Sequence, residues 1–227
     1  VSDEYPGLGD RLLQIKGGIA DACRAAGREP ESATLIVVTK FHPASLVREL
    51  AGLGVVDVGE NRHQEAQDKA AELADLDLNW HFIGQLQTKK ARQAARYAHA
   101  IHSIDRERLV DSLAEGDRVI DAFVQVNLTD DPGRGGVSPT DLDRLAERVA
   151  AAPALRLRGV MAVAPLEEAP ESAFARLAGY SERVRAIEPT ATDISAGMTH
   201  DFAEAIAAGA THLRIGSAIT GKRPEHR

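Results

Sequence analysis

TLIVVTKFHP (34–43) begins as a short β-branched apolar run, the composition of a buried strand, and it contains no glycine. That absence separates two α/β architectures. A doubly wound open sheet usually announces a glycine-bearing nucleotide loop after its first strand, and none follows here. Working outward, further strand candidates stand at VVDVGEN (55–61), NWHFIG (79–84), AIHSID (100–105), DAFVQVN (121–127), LRLRGVMAV (155–163), TDISAG (192–197) and HLRIGS (212–217). That makes eight. Helix-period stretches at 44–54, 62–75, 106–115, 138–151 and 168–187 fill most of the gaps. Parallel strands need crossover connections, so the alternation predicts parallel pairing. The expected fold is a single closed (β/α)8 TIM barrel.

One extra helix over 7–27 precedes it, with Leu8, Leu12, Ile15, Ile19, Ala22 and Cys23 at helical spacing and Gly27 at its end. The 227 residues suit one such barrel, which commonly runs to about 250. No low-complexity linker divides them, so one domain over 1–227 is expected. The Gly/Pro cluster TDDPGRGGVSP (129–139) lacks the strand-turn-helix spacing of a nucleotide loop and reads as a mobile surface loop.

Composition removes several function classes. With 44% hydrophobic and 27% charged residues the chain is not generally disordered. No apolar run approaches the ~20 residues of a membrane span, and VSDEYPGLGDRL lacks the pattern of a signal peptide. Thirty-four acidic against 27 basic residues, scattered arginines and 4% aromatics argue against a nucleic-acid surface. Cys23 is the single cysteine, so neither an internal disulfide nor a cysteine metal site is expected. His81 reads as a satisfied core histidine rather than a metal ligand. His99 and His102 lack zinc spacing, and no metal site is expected. A cytoplasmic location fits best.

In a barrel, binding and catalytic groups lie at the C-terminal strand ends. Those ends supply Lys40, Glu60, Asn61, Gly84, Gln85, Ser103, Asp105, Asn127, Met161, Ser195, Gly197, Gly216 and Ser217. Only six of the 27 basic side chains are lysines, and Lys40 ends the LIVV strand. A lysine there either snorkels into solvent or, partly desolvated, attacks a carbonyl to form a Schiff base, which arginine cannot do. The segments SAGMTHDF (195–202) and RIGSAITG (214–221) fall where barrels often bind phosphate. Gly197 and Gly216 permit close backbone approach, Thr199 and Ser217 offer hydroxyls, and a helix over 200–208 starting at Thr199 would present its amides to an anion. Arg214 points either inward, toward that anion, or outward to a helix; periodicity does not choose.

A Schiff-base lysine and a phosphate site on one barrel suggest pyridoxal 5'-phosphate. The chain also resembles the pyridoxal phosphate homeostasis proteins, single-domain relatives of the alanine racemase N-terminal barrel. The resemblance rests on VVTKFHP (37–43), VGENRHQEAQDK (58–69), WHFIGQLQTKK (80–90), IHSID (101–105), GVMAVAP (159–165) and SAGMTHDFAEAIAAGATHLRIGSAITG (195–221), in order along nearly the whole chain. It implies that Lys40 carries the cofactor as an aldimine and that Met198, Thr199, Gly216 and Ser217 lie in the segments holding its phosphate. It implies that Arg214 faces the pyridine nitrogen and that Asn61 lies near the ring. Thr199–His200 stand where Ser–Asp is usual, Ala196 replaces a frequent methionine and Lys89 a frequent asparagine.

Two roles compete, with a third behind them. A carrier would store, buffer or deliver the cofactor, with pyridoxal-phosphate-dependent apoenzymes as recipients, as a monomer and without strong catalysis. A racemase needs a second acid/base opposite the lysine. In the two-domain racemases a tyrosine of the second domain fills that role; here Tyr5, Tyr97 and Tyr180 fall in predicted helices or the N-terminal segment, and no carboxylate clamp is evident. The chain ends about ten residues after its last strand. The carrier is therefore expected, with weak side activity on amino acids allowed. A Schiff-base aldolase acting on a sugar phosphate satisfies the lysine-and-phosphate logic alone.

Overall fold

The β-branched run at 34–38 pairs in parallel on both sides: Thr34–Val37 with His212–Ile215, and Val37–Val38 with Val58–Gly59. The last strand thereby returns to the first and closes a ring. This computed structural model describes residues 4–222; the start of the N-terminal reading and the end of the 1–227 span lie outside the described residues.

The ring comprises β1 (Thr34–Val38), β2 (Asp57–Glu60), β3 (Asn79–Phe82), β4 (Ala100–Ile104), β5 (Ile120–Gln125), β6 (Leu155–Met161), β7 (Asp193–Ser195) and β8 (His212–Ile215), paired in chain order. Around it run α1 (Leu8–Ala25), α2 (Ala44–Gly52), α3 (His63–Glu72), α4 (Ala91–Tyr97), α5 (Glu107–Leu113), α6 (Leu142–Ala150), α7 (Pro170–Ile187), α8 (Phe202–Ala207) and α9 (Ser217–Thr220). The barrel and its extra helix are as expected.

Alternate strand residues face opposite ways. Val37, Val58, Phe82, Ile101, Val124, Val160 and Leu213 join the large apolar core with the helices. Inside the ring, Ala100, Phe123 and Met161 form a small separate cluster. Much of the remaining interior is polar: His81, His102, Ser195 and Arg214, from four different strands, are buried and bonded to one another. At the N-terminal mouth, Asp57 accepts from Asn79 (3.0 Å), and Arg158 pairs with Asp193 at 2.7 Å.

Three local expectations need correction. The helix expected over 200–208 starts at Phe202, because Met198–Asp201 form a turn in which Asp201 Oδ1 takes the Met198 amide (2.6 Å). The helix expected from 138 starts at Leu142, since the Ser138 hydroxyl bonds Asp141 and Thr140 and builds a turn instead. The segment 129–139 is not simply a surface loop. Its ends are tied by Asn127 N to Val137 O and Val137 N to Gln125 O, Asn127 holds Thr129 and Asp131, and a 3-10 turn spans Pro132–Arg134.

Candidate functional site

The C-terminal strand ends surround a cavity of about 530 Å³, within the usual range for small-molecule sites. Lys40, Asn61, Met198, Thr199, Arg214, Gly216 and Ser217 all line it, so the structure brings together the seven residues that the family resemblance assigns to the cofactor, whereas the strand-end groups Glu60, Ser103, Asp105, Asn127, Ser195 and Gly197 are not among its lining residues. Gln85, also marked at a strand end, is on the wall; His42, Gln125 and Arg134 join it without having been marked. Among the described residues, no carboxylate lines the cavity. Of the departures from the family pattern, His200 and Lys89 are exposed and outside the wall.

Lys40 lies two residues past the end of β1, and its flanking peptides are gripped from α3. Lys69 Nζ donates to the Thr39 carbonyl (2.9 Å), to Glu60 Oε1 (2.6 Å) and to Glu65 Oε1 (3.1 Å). The same Glu65 oxygen accepts the Phe41 amide, and Thr39 Oγ1 donates to Glu60 (2.7 Å). Phe41 adopts φ 68°, rare for a residue with a side chain, and Arg62 caps its ring at 4.6 Å. The strained turn is thus held on both sides of the lysine. Burial pushes the Glu60 carboxyl up, against the lowering pull of the Lys69 charge and hydrogen bond. Sequence reading placed Glu60 among the site groups; in the structure it faces α3 and supports the site from behind.

Arg214 points inward. It is 5% exposed and donates to Ser195 Oγ (2.7 Å) and to the Ala162 carbonyl (2.9 Å). Burial lowers the guanidinium to about 10, still charged at neutral pH.

The two loops expected to meet an anion differ in character. Gly197 has φ 93°, and a Cβ there would meet Ala205 at 2.8 Å. Met198 is 39% exposed, with its amide already taken by Asp201. Gly216 leads into α9, whose exposed Ser217 lies at the rim. Asn61 lines the same cavity, and its Oδ1 is buried without a hydrogen-bond partner. None of the three tyrosines lines the cavity: Tyr5 bonds Ser45, Tyr97 stacks on His63, and Tyr180 lies beneath Arg183.

Residues 19–224 match the family model described as alanine racemase, N-terminal domain. The pyridoxal phosphate homeostasis protein of Pseudomonas aeruginosa is 41% identical over 223 residues, covering 95% of this chain and 96% of that one. The protein of the same name from Escherichia coli K12 is 37% identical, with 95% and 97% covered. Among solved structures, PipY of Synechococcus elongatus with pyridoxal phosphate bound superposes with a TM-score of 0.82 at 34% identity, over 94% of this chain and 100% of that one. An alanine racemase from Corynebacterium glutamicum, 18% identical with a TM-score of 0.69, shares the fold over 95% of this chain and 63% of its own.

Proposed function

The chain belongs to the family of the alanine racemase N-terminal domain, among the pyridoxal phosphate homeostasis proteins, and from that premise we propose that it binds pyridoxal 5'-phosphate and stores, buffers or delivers it without strong catalysis. One observation carries the reading. One cavity, with no carboxylate among the described residues that line it, gathers an amine, a buried guanidinium, two hydroxyl-bearing loops and an orphaned buried amide oxygen on Asn61. That donor set fits the cofactor.

When bound, pyridoxal phosphate supplies an aldehyde reactive toward primary amines, a phosphate and an electron-accepting ring. Lys40 would hold the aldehyde carbon through Nζ, oriented by the clamp on Thr39 and Phe41. Thr199, Ser217 and the backbone at Gly216 would hold the phosphate, with Met198 as part of the same rim. Arg214 can only donate hydrogen bonds, so a ring nitrogen facing it accepts and stays unprotonated, which weakens the ring as an electron sink. Asn61 would bind beside the ring.

The relatives' names and the absence of a tyrosine on the wall support a carrier over a racemase. The partner is then the cofactor itself and, at handover, a pyridoxal-phosphate-dependent apoenzyme, served by a monomer.

The test is the visible absorption spectrum before and after borohydride, with peptide mapping. A yellow protein whose reduced pyridoxyl adduct maps to Lys40 is expected. Lys40→Ala should lose covalent attachment, and Thr199→Ala/Ser217→Ala should weaken retention about tenfold or more, since each hydroxyl contributes about 1 kcal/mol or somewhat more toward a charged phosphate. A colourless protein that takes up no added pyridoxal phosphate would overturn the reading and bring the sugar-phosphate aldolase forward.

A further inference from the structure

We propose that Asp57, His81, His102 and Ser195 form a directional hydrogen-bond chain through the barrel that positions Arg214, with Asp57 as its anchor at the mouth remote from the cavity. The chain is continuous. Arg214 Nη1 lies 2.7 Å from Ser195 Oγ, Ser195 Oγ 2.8 Å from His102 Nδ1, His102 Nε2 2.9 Å from His81 Nδ1, and His81 Nε2 3.0 Å from Asp57 Oδ1.

Its ends fix its direction. A guanidinium only donates and a carboxylate only accepts. With one proton on each imidazole, a single arrangement satisfies all four contacts. Arg214 donates to Ser195, the Ser195 hydroxyl to His102 Nδ1, His102 Nε2–H to His81 Nδ1, and His81 Nε2–H to Asp57. Both histidines are thereby held as the Nε2–H tautomer. The geometry leaves the rings little choice of orientation: His102 stacks flat on Phe123 at 4.3 Å and 9°, and His81 is 4% exposed. Burial, reinforced by the nearby His81, His212 and Arg214, keeps the His102 imidazole from taking a second proton.

Without Asp57, the His81 Nε2–H has no acceptor. The His81 proton moves to Nδ1, His102 reverses, and Ser195 Oγ receives two donors instead of one. Arg214 then competes for the oxygen that now aligns it. Asp57 and the two histidines touch no ligand; they are positioning residues. The last link, from Arg214 to the cofactor, rests on the function proposed above.

Two measurements separate the chain from that function. Nitrogen-15 NMR of histidine-labelled protein without cofactor should show His81 and His102 protonated at Nε2 and bare at Nδ1 at neutral pH. An Nδ1–H tautomer at His102, or a doubly protonated His81, overturns the chain whether or not the cofactor binds. Pyridoxal phosphate titrations, followed by absorbance, then form a cycle. Asp57→Ala should weaken binding about three- to tenfold in the native background and by less than about twofold in a Ser195→Ala background. Equal losses in both backgrounds would make Asp57 a structural residue only and overturn its positioning role.

Discussion

Lys69 is the residue on which the position of Lys40 rests. Its ammonium is almost fully buried, and it bonds the Thr39 carbonyl directly in front of the site lysine. Removing it leaves the 1%-exposed Glu60 carboxylate without its cation, and breaking a buried pair by one partner costs about 3–5 kcal/mol. Lys69→Met should therefore lower the urea midpoint strongly, whereas Glu60→Gln/Lys69→Met should recover a good part of the loss. If the single variant unfolds at the native midpoint, the pair is not what holds the turn. Nothing in the sequence marks this pairing. Lys69 reads as one more charge on a helix face, and its partners come from β2 and from the loop after β1. Lys40, Asn61, Thr199, Gly216 and Ser217 were legible for the opposite reason: strand ends and two glycine-marked loops locate them without knowledge of any contact, whereas Met198 and the inward turn of Arg214 came only with the family resemblance.

At the scale of elements, the eight strands were readable because each apolar run is short, β-branched and bounded by polar or glycine residues. Helix starts were read less well, because a start depends on which side chain bonds which amide. Asp201 captures the Met198 amide, and Ser138 bonds Asp141, so both helices begin later than their periodicity suggests. The short α4 buries only two alanines, too faint a pattern to single out. Between elements, Gly84 marks where the loop after β3 crosses the loop after β2. A Cβ there would lie 2.1 Å from the Asn61 carbonyl oxygen. Gly84→Ala should cost about 1–3 kcal/mol, as overpacking does, and weaken cofactor retention by displacing Asn61. Gly17→Ala on α1, with nothing within 4 Å, is the contrast: it should be neutral or stabilising by up to about 1 kcal/mol. Equal melting temperatures for the two variants would show that the crossing tolerates a side chain.

At the scale of the molecule, the polar interior sets this barrel apart from one filled by branched apolar layers. Sequence marked His81 as a core histidine but could not pair it with His102, Ser195 and Asp57, which meet only when the ring closes. The interior also dictates how the fold responds to acid. Burial pushes His212 down to about 4 despite the opposing charge of Asp193; it lowers His102 well below the usual imidazole value, and His99 as well. Imidazoles held neutral in the native state bind protons in the unfolded chain first. Their stabilisation is complete above the unfolded value of about 6.5 and is lost as pH falls toward the native values. For Asp57, burial raises the carboxyl, but hydrogen bonds from His81 and Asn79 outweigh it, so its contribution is lost only below the ordinary carboxylate range. Glu60, raised by burial, acts in the opposite direction as a single group against three imidazoles. The melting temperature of the cofactor-free protein should therefore fall steadily from pH 6.5 to 4, with His212 alone contributing on the order of 1–3 kcal/mol of the loss. His212→Asn should make that slope shallower. A flat profile over the same range, or an unchanged slope in the variant, would show that the interior histidines are not held neutral by the fold.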